Sequence, residues 1–253
     1  MSSPESKQSG GRQPDGYGQL CAVATALDVV GSRWTLLILR DLARTPLRFT
    51  DLEAINPTLF PAMLTQRLRS LEAAGIIERR TVHTPARTVL YALSKESRPV
   101  VLPVLTALAD FGSHILERNP PAGNPAEALA GQMELNSRYL LARNSRLTGY
   151  FVFDLSGWVV HVTVEESGLT ASAEAPRDCA PDATASFSPP TTLMRVMGGV
   201  QTATEAERNG VLTISGNRDL MLELLDLLSF AGPESSPKTP GEARPAAASS
   251  MAN

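Results

Sequence analysis

The chain has 253 residues, 43% of them hydrophobic and 5% aromatic, with a formal net charge of −3. That is enough chain to bury a sizeable core as one large or two modest domains. No stretch approaches the roughly 20 uninterrupted apolar residues of a spanning helix, and the first residues lack the apolar run of a secretion signal, so a cytoplasmic protein with no membrane partner is expected.

Two cysteines, Cys21 and Cys179, and three histidines, His83, His114 and His161, have neither the number nor the spacing of a disulfide scaffold or a metal site. Neither a metal nor another cofactor is expected. The charge is divided unevenly: residues 17–118 carry 12 Lys and Arg against 9 Asp and Glu, whereas residues 119–253 carry 9 against 15. A basic half joined to an acidic half suggests that one part meets a polyanion and the other does not. Eleven of the twelve cations in the basic half are arginine, Lys95 being the exception. Arginine is the residue of phosphate and guanine recognition, and it is also what a GC-rich genome produces.

Residues 1–16 and 232–253 are rich in Ser, Gly, Pro and Ala and read as disordered tails. Apolar residues at helical spacing over 21–30 predict a first helix stopped by Gly31, and Ser32 is placed to cap a second over 33–42. Thr50-Asp51-Leu52-Glu53 has the form of a capping box, and Asn56-Pro57 then turns the chain. The next helix is predicted from about Pro61 to Ala74, closed by Gly75. It turns Leu64, Leu68 and Leu71 inward and leaves Ala62, Thr65, Gln66, Arg69 and Ala73 facing out. Alternation over 77–82 and 88–93 then predicts a hairpin whose tip is His83-Thr84-Pro85-Ala86, followed by an apolar helix over 97–116 with Leu102, Leu105 and Leu108. Residues 119–123, Asn-Pro-Pro-Ala-Gly, read as a linker. Three helices, a helix with exposed arginine, a hairpin and a closing helix form the order of a winged helix-turn-helix.

The stretches CAVATALDVVGSRWTLLILRDL, RFTDL, LTQRLRSLEAAGIIERR and TVLYALS, in that order across residues 17–118, resemble the HxlR family of bacterial winged helix-turn-helix regulators. The resemblance implies a homodimeric transcription factor that binds double-stranded DNA at an inverted repeat, its outer helices forming the dimer interface and its arginine-bearing helix entering the major groove. Arg69 and Gln66 suit base edges, and Thr65 suits a phosphate or a thymine methyl. Arg79, Arg80 and Arg87 lie on the wing, where the DNA backbone or minor groove would pass, while Arg67 sits at the edge of the buried stripe. Phe60-Pro61-Ala62 stands where the family usually has Ser-Pro-Lys or similar; either Thr58 caps an earlier start or the DNA sequence read is unusual. Cys21 falls where some HxlR-type regulators carry a redox-sensing cysteine, a position that equally suits a small buried residue.

In the second half a helix is predicted from Asn124 towards Leu147. Strands follow over 150–155, 158–164, 169–174 and 183–187, then helices to Met197 and over 202–208, a strand over 211–215 and a leucine-rich helix over 217–230. TGYFVFDLSG, GWVVHVTVEESG, ATASFSP and NGVLTISGNRDLMLELLDLL together resemble the sterol-carrier-protein-like lipid-binding fold. Phe151, Phe153, Val160, Leu193, Met194, Met197, Leu222 and Leu225 are then either plain core or the lining of a tunnel for a hydrophobic small molecule. The fold class expected is α+β: a winged helix-turn-helix over 17–118 and a sterol-carrier-like α/β sandwich with a mainly antiparallel sheet over 124–231.

No Gly-rich phosphate loop, metal cluster or nucleophile elbow is present, which argues against an enzyme. The function expected is that of a transcriptional regulator whose second domain takes up an apolar effector. The alternatives are a regulator with a ligand-free oligomerisation module and a lipid carrier.

Overall fold

The computed structural model describes residues 16–83, 87–119, 123–142, 145–176 and 179–230. The expected tails, the hairpin tip at 84–86 and residues 120–122 of the linker lie outside these, Gly16 excepted. The first half contains α1 (Ala22–Val30), α2 (Thr35–Arg44), α3 (Phe49–Ile55), α4 (Pro61–Ala73), β1 (Ile77–His83), β2 (Arg87–Leu93) and α5 (Arg98–Arg118). The second contains α6 (Pro125–Ala142), β3 (Gly149–Leu155), β4 (Trp158–Glu165), β5 (Gly168–Ser172), β6 (Ala183–Phe187), α7 (Thr191–Met197), α8 (Ala203–Arg208), β7 (Leu212–Gly216) and α9 (Arg218–Leu228).

Two helix starts differ from the sequence expectation. α2 begins after Trp34 rather than at Ser32, and Trp34 takes a left-handed backbone at φ 78°. Such a conformation costs a bulky residue on the order of 1–3 kcal/mol. It is offset here because it lets the indole pack half-buried against the first core. α3 begins at Phe49, and Asp51, not Glu53, accepts the Arg48 backbone N–H at 3.0 Å. Starting there brings Phe49 against the core as well.

The first core gathers Ile38, Leu39 and Leu42 of α2, Leu52 and Ile55 of α3, Leu64, Leu68 and Leu71 of α4, and Leu105 of α5. β1 and β2 form an antiparallel hairpin, and Leu47 bridges to Tyr91 alongside it. α5 has separate faces. Leu105 is buried and Leu102 half-buried, but Leu108 is exposed together with Val100, Val104, Phe111 and Ile115. α5 is also long and apolar enough by length and composition to cross a membrane, although Asp110, Ser113 and His114 interrupt its apolar run; only 11% of its most apolar window is buried.

The second half is a five-stranded sheet in the order β5-β4-β3-β6-β7, with helices packed on it. β3 and β6 run parallel and the other neighbours antiparallel. Alternation puts Phe151, Phe153 and Leu155 of β3 on the helix-covered face with Val160, Val162 and Val164 of β4 and Ala183, Ala185 and Phe187 of β6. The opposite face carries Val152, Asp154 and His161. Gly216 ends β7 at φ 80°, and a Cβ there would lie 2.4 Å from the Asp182 carbonyl oxygen. Only glycine allows that approach. It lets the Asn217 N–H reach the Asp182 carbonyl at 2.7 Å, while the Asn217 side chain caps α9 by accepting the Leu220 N–H.

The two halves are joined by packing as well as by chain. Tyr139 of α6 and Phe230 after α9 belong to the first core, not the second. On the other side α7 lies against α5, where Arg195 pairs with Asp110 and Thr191 Oγ1 donates to Glu117 at 2.8 Å.

Candidate nucleic-acid interface

α4 shows the strict two-sidedness that its leucine spacing predicts. Leu64, Leu68 and Leu71 are buried, while Gln66, Arg69, Ser70 and Ala73 are exposed. The Gln66 and Arg69 side chains make no hydrogen bond or ion pair among the described residues. Thr65 differs from expectation: it is half-buried and its hydroxyl donates back to the Pro61 carbonyl at 2.9 Å. Arg67 is half-buried, and its Nε is buried without a hydrogen-bond partner.

Phe60 occupies the N-cap with an extended backbone, Pro61 stands at the first helical position, and no side chain caps the end. Thr58 is therefore not the cap. The Phe60 ring is 74% exposed at the N-terminal end of α4. In the sequence Phe60 stands out as a departure from the family pattern and not as a contact. Its signal was there in a large apolar side chain beside a first-turn proline.

The wing arginines are unequally placed. Arg80 is paired with Glu78 at 2.6 Å and Arg79 lies over the Tyr91 ring, 5.8 Å from its centroid, whereas Arg87 is exposed where β2 leaves the hairpin tip. Arg80 must exchange its carboxylate before it can meet a phosphate.

Cys21 is exposed, which excludes the alternative of a small buried residue and leaves the other. It is the N-cap residue of α1, and the backbone N–H groups of Ala24 and Val23 hold its thiol below the ordinary cysteine value. No cation is needed, because the helix start itself favours the thiolate.

The apolar side chains of the second half that suit either a core or a tunnel lining are mostly buried together. Phe151, Phe153, Val160, Leu193 and Leu225 are fully buried in one cluster, with Phe153 and Phe187 stacked at 6.2 Å, and Met197 and the half-buried Met194 pack at its edge. Leu222 is a correction: it is half-buried and lies off this cluster, the core positions of α9 being Met221, Leu224, Leu225 and Leu228. The helix turns by about 100° per residue, so Leu222 falls beside the stripe and not on it.

A buried helix beneath an outward cationic helix, with a hairpin after it and a long helix closing the unit, defines a winged helix-turn-helix protein. The HxlR-like helix-turn-helix model matches residues 29–120. The chain is 34% identical over 93 residues to an HTH-type transcriptional regulator of Methanothermobacter thermautotrophicus, covering 37% of this chain and 70% of that one. It is 32% identical over 98 residues to the HTH-type transcriptional regulator YdeP of Bacillus subtilis, covering 39% and 76%. Among solved structures it is similar to the HTH-type transcriptional regulator ytcD, with 32% identity, 39% of this chain and 99% of that chain covered, and a TM-score of 0.36. The chain belongs to the HxlR-like helix-turn-helix family.

Proposed function

We propose that the protein is a dimeric DNA-binding transcriptional regulator that reads the major groove with α4. The observation that carries this reading is the exposed face of Gln66 and Arg69, held outward by a stripe of fully buried leucines, with the half-buried Thr65 beside it. Arg and Gln present the bidentate donors and acceptors that suit guanine and adenine edges. Phe60 adds an apolar surface for a thymine methyl at the end of the helix that enters the groove first. Arg87 on the wing supplies a phosphate contact.

Dimerisation is supported by the exposed stripe on α5. Val100, Val104, Leu108, Phe111 and Ile115 recur at three- and four-residue steps along one side, and Val23 and Leu27 of α1 are exposed as well. A contiguous apolar face of this kind is what a helix-to-helix interface covers. A two-fold dimer asks for inverted half-sites about one helical turn, roughly 34 Å, apart or a multiple of it.

The second half resembles a sterol-carrier-like fold, and an apolar effector remains the role that resemblance offers it. The full burial of Phe151, Phe153, Val160 and Leu193 against one another favours a packed module that acts through its contacts with α2 and α5. Native mass spectrometry before and after organic extraction separates the two: a co-purifying apolar species supports the effector, and a clean apo dimer that takes up no fatty acid or sterol supports the module. Cys21 carries a second regulatory reading, that of a thiol able to respond to oxidants, favoured by its exposure at a helix N-cap.

The test of the main reading is enrichment of duplexes from a randomised DNA pool by the full-length protein. Recovery of an inverted repeat supports it, and absence of any enriched sequence contradicts it.

A further inference from the structure

The second half enters the helix-turn-helix at one buried polar centre. Tyr139 of α6 is fully buried, and its hydroxyl donates to Asp41 Oδ1 of α2 at 2.6 Å. Asp41 is equally buried, and its other oxygen accepts from Asn56 Nδ2 at 2.8 Å. Arg40 closes the group, its Nε and terminal nitrogen lying 2.8 and 2.7 Å from Asp41 Oδ1. The Arg44 guanidinium lies over the Tyr139 ring, 4.4 Å from its centroid. Burial, with Asp41 beside it, pushes the Tyr139 phenol up, so the hydroxyl keeps its proton and donates throughout the physiological range.

Asn56 is the residue at which α3 ends and the turn towards α4 begins. Its side chain also donates to the Leu52 carbonyl at 3.1 Å, and its own carbonyl accepts the Leu59 N–H at 2.9 Å. A continuous set of buried hydrogen bonds therefore runs from α6 through Asp41 and Asn56 to the turn that aims α4. Buried carboxylates of this kind tolerate few arrangements, because losing one donor leaves charge unsolvated. Tyr139 lies beyond the matched family segment, residues 29–120. Relatives whose matched stretch already makes up 70% to 86% of their length have too few residues left for a counterpart of the second half.

We propose that Tyr139 is a positioning residue for DNA binding, through which the second half holds the Asp41–Asn56 pair and hence the angle at which α4 meets DNA. The proposal rests on the DNA-binding reading above. A state of the second half that withdraws Tyr139 lowers DNA affinity, and by linkage bound DNA favours the engaged state.

The experiment uses the full-length chain and a duplex enriched from a randomised pool by the wild-type protein. Tyr139→Phe keeps the ring over Arg44 and removes only the hydroxyl. Binding about tenfold weaker than wild type is expected at a temperature where the variant is fully folded. Val162→Ala, which opens a cavity in the second core away from this centre, serves as the matched control and binds as wild type does. Asn56→Ala combined with Tyr139→Phe weakens binding no further than the stronger single change, since both cut the same path. Wild-type affinity in Tyr139→Phe despite a loss of stability overturns the proposal, as does an equal loss of affinity in Val162→Ala. If the wild type enriches no duplex, the DNA-binding reading falls and takes the proposal with it; a wild type that binds beside an unaffected Tyr139→Phe removes the proposal alone.

Discussion

The two halves use their exposed surfaces in opposite ways. The first half leaves apolar and cationic side chains unpartnered on defined elements: the α5 stripe, Phe60 at the start of α4, and Arg69 on its outer face. The second half buries its large apolar side chains against one another and reaches its neighbour through a few polar contacts, Tyr139 to Asp41 and Arg195 to Asp110 among them. The contrast teaches that surfaces for partners are concentrated in the first half, while the second is built to pack, both internally and against α2 and α5.

The change expected to strain that comparison most is Phe153→Ala. Deleting a fully buried ring costs about 3–5 kcal/mol. Tyr139 and Phe230 seat the second half in the first core, so chemical denaturation followed by Trp34 in the first half and Trp158 in the second gives one coincident transition shifted as a whole. Two separated transitions would show that the halves are independent.

Phe111→Glu on the α5 stripe places a charge in the proposed interface without touching either core. Sedimentation velocity is expected to show a monomer where the wild type is a dimer, with far-UV circular dichroism unchanged; a wild-type monomer removes the dimer.

Gly198→Ala probes the other contact between the halves. Its new Cβ would sit 2.6 Å from the Ala109 Cβ on α5, and relieving such overpacking costs about 1–3 kcal/mol. A melting temperature unchanged by this substitution would mean that α7 does not bear on α5 in solution.

The smallest effect is in pH dependence. His161 Nδ1 lies 2.6 Å from the Tyr150 hydroxyl, and desolvation lowers its pKa below the ordinary histidine value. The unfolded chain then binds the proton more readily than the folded one, so stability is full above the unfolded pKa, about 6.5, and declines as pH falls below it. Urea midpoints at pH 7.5 and 5.5 in wild type and His161→Gln check this, the variant showing the shallower fall.

Much of the first half was legible because its signals are local. Leucines at i, i+4 and i+7 fix which side of α4 is buried, and Gly75 followed by alternation fixes the start of the hairpin. The starts of α2 and α3 were not legible, because Trp34 and Phe49 are drawn against a core assembled from distant segments. The same holds for the centre around Asp41: nothing near residue 41 in sequence announces a tyrosine 98 positions away. The choice between the two readings of Cys21 was not legible for a related reason, since exposure at a helix start depends on what packs over α1. In the second half the strand alternation gave the buried sheet face, and Leu222 slipped off the α9 stripe because six of the eleven residues there are leucine.

The outward face of α4 is tested most directly by titration of an enriched duplex with wild type and Arg69→Ala at several salt concentrations. Arg69→Ala is expected to lose about 1–3 kcal/mol of specific binding and to relax the choice at one base position, while Arg87→Ala keeps the preference and reduces the salt slope by about one. Arg69→Ala binding with wild-type affinity and wild-type base preference would contradict the assignment of α4 as the reading helix.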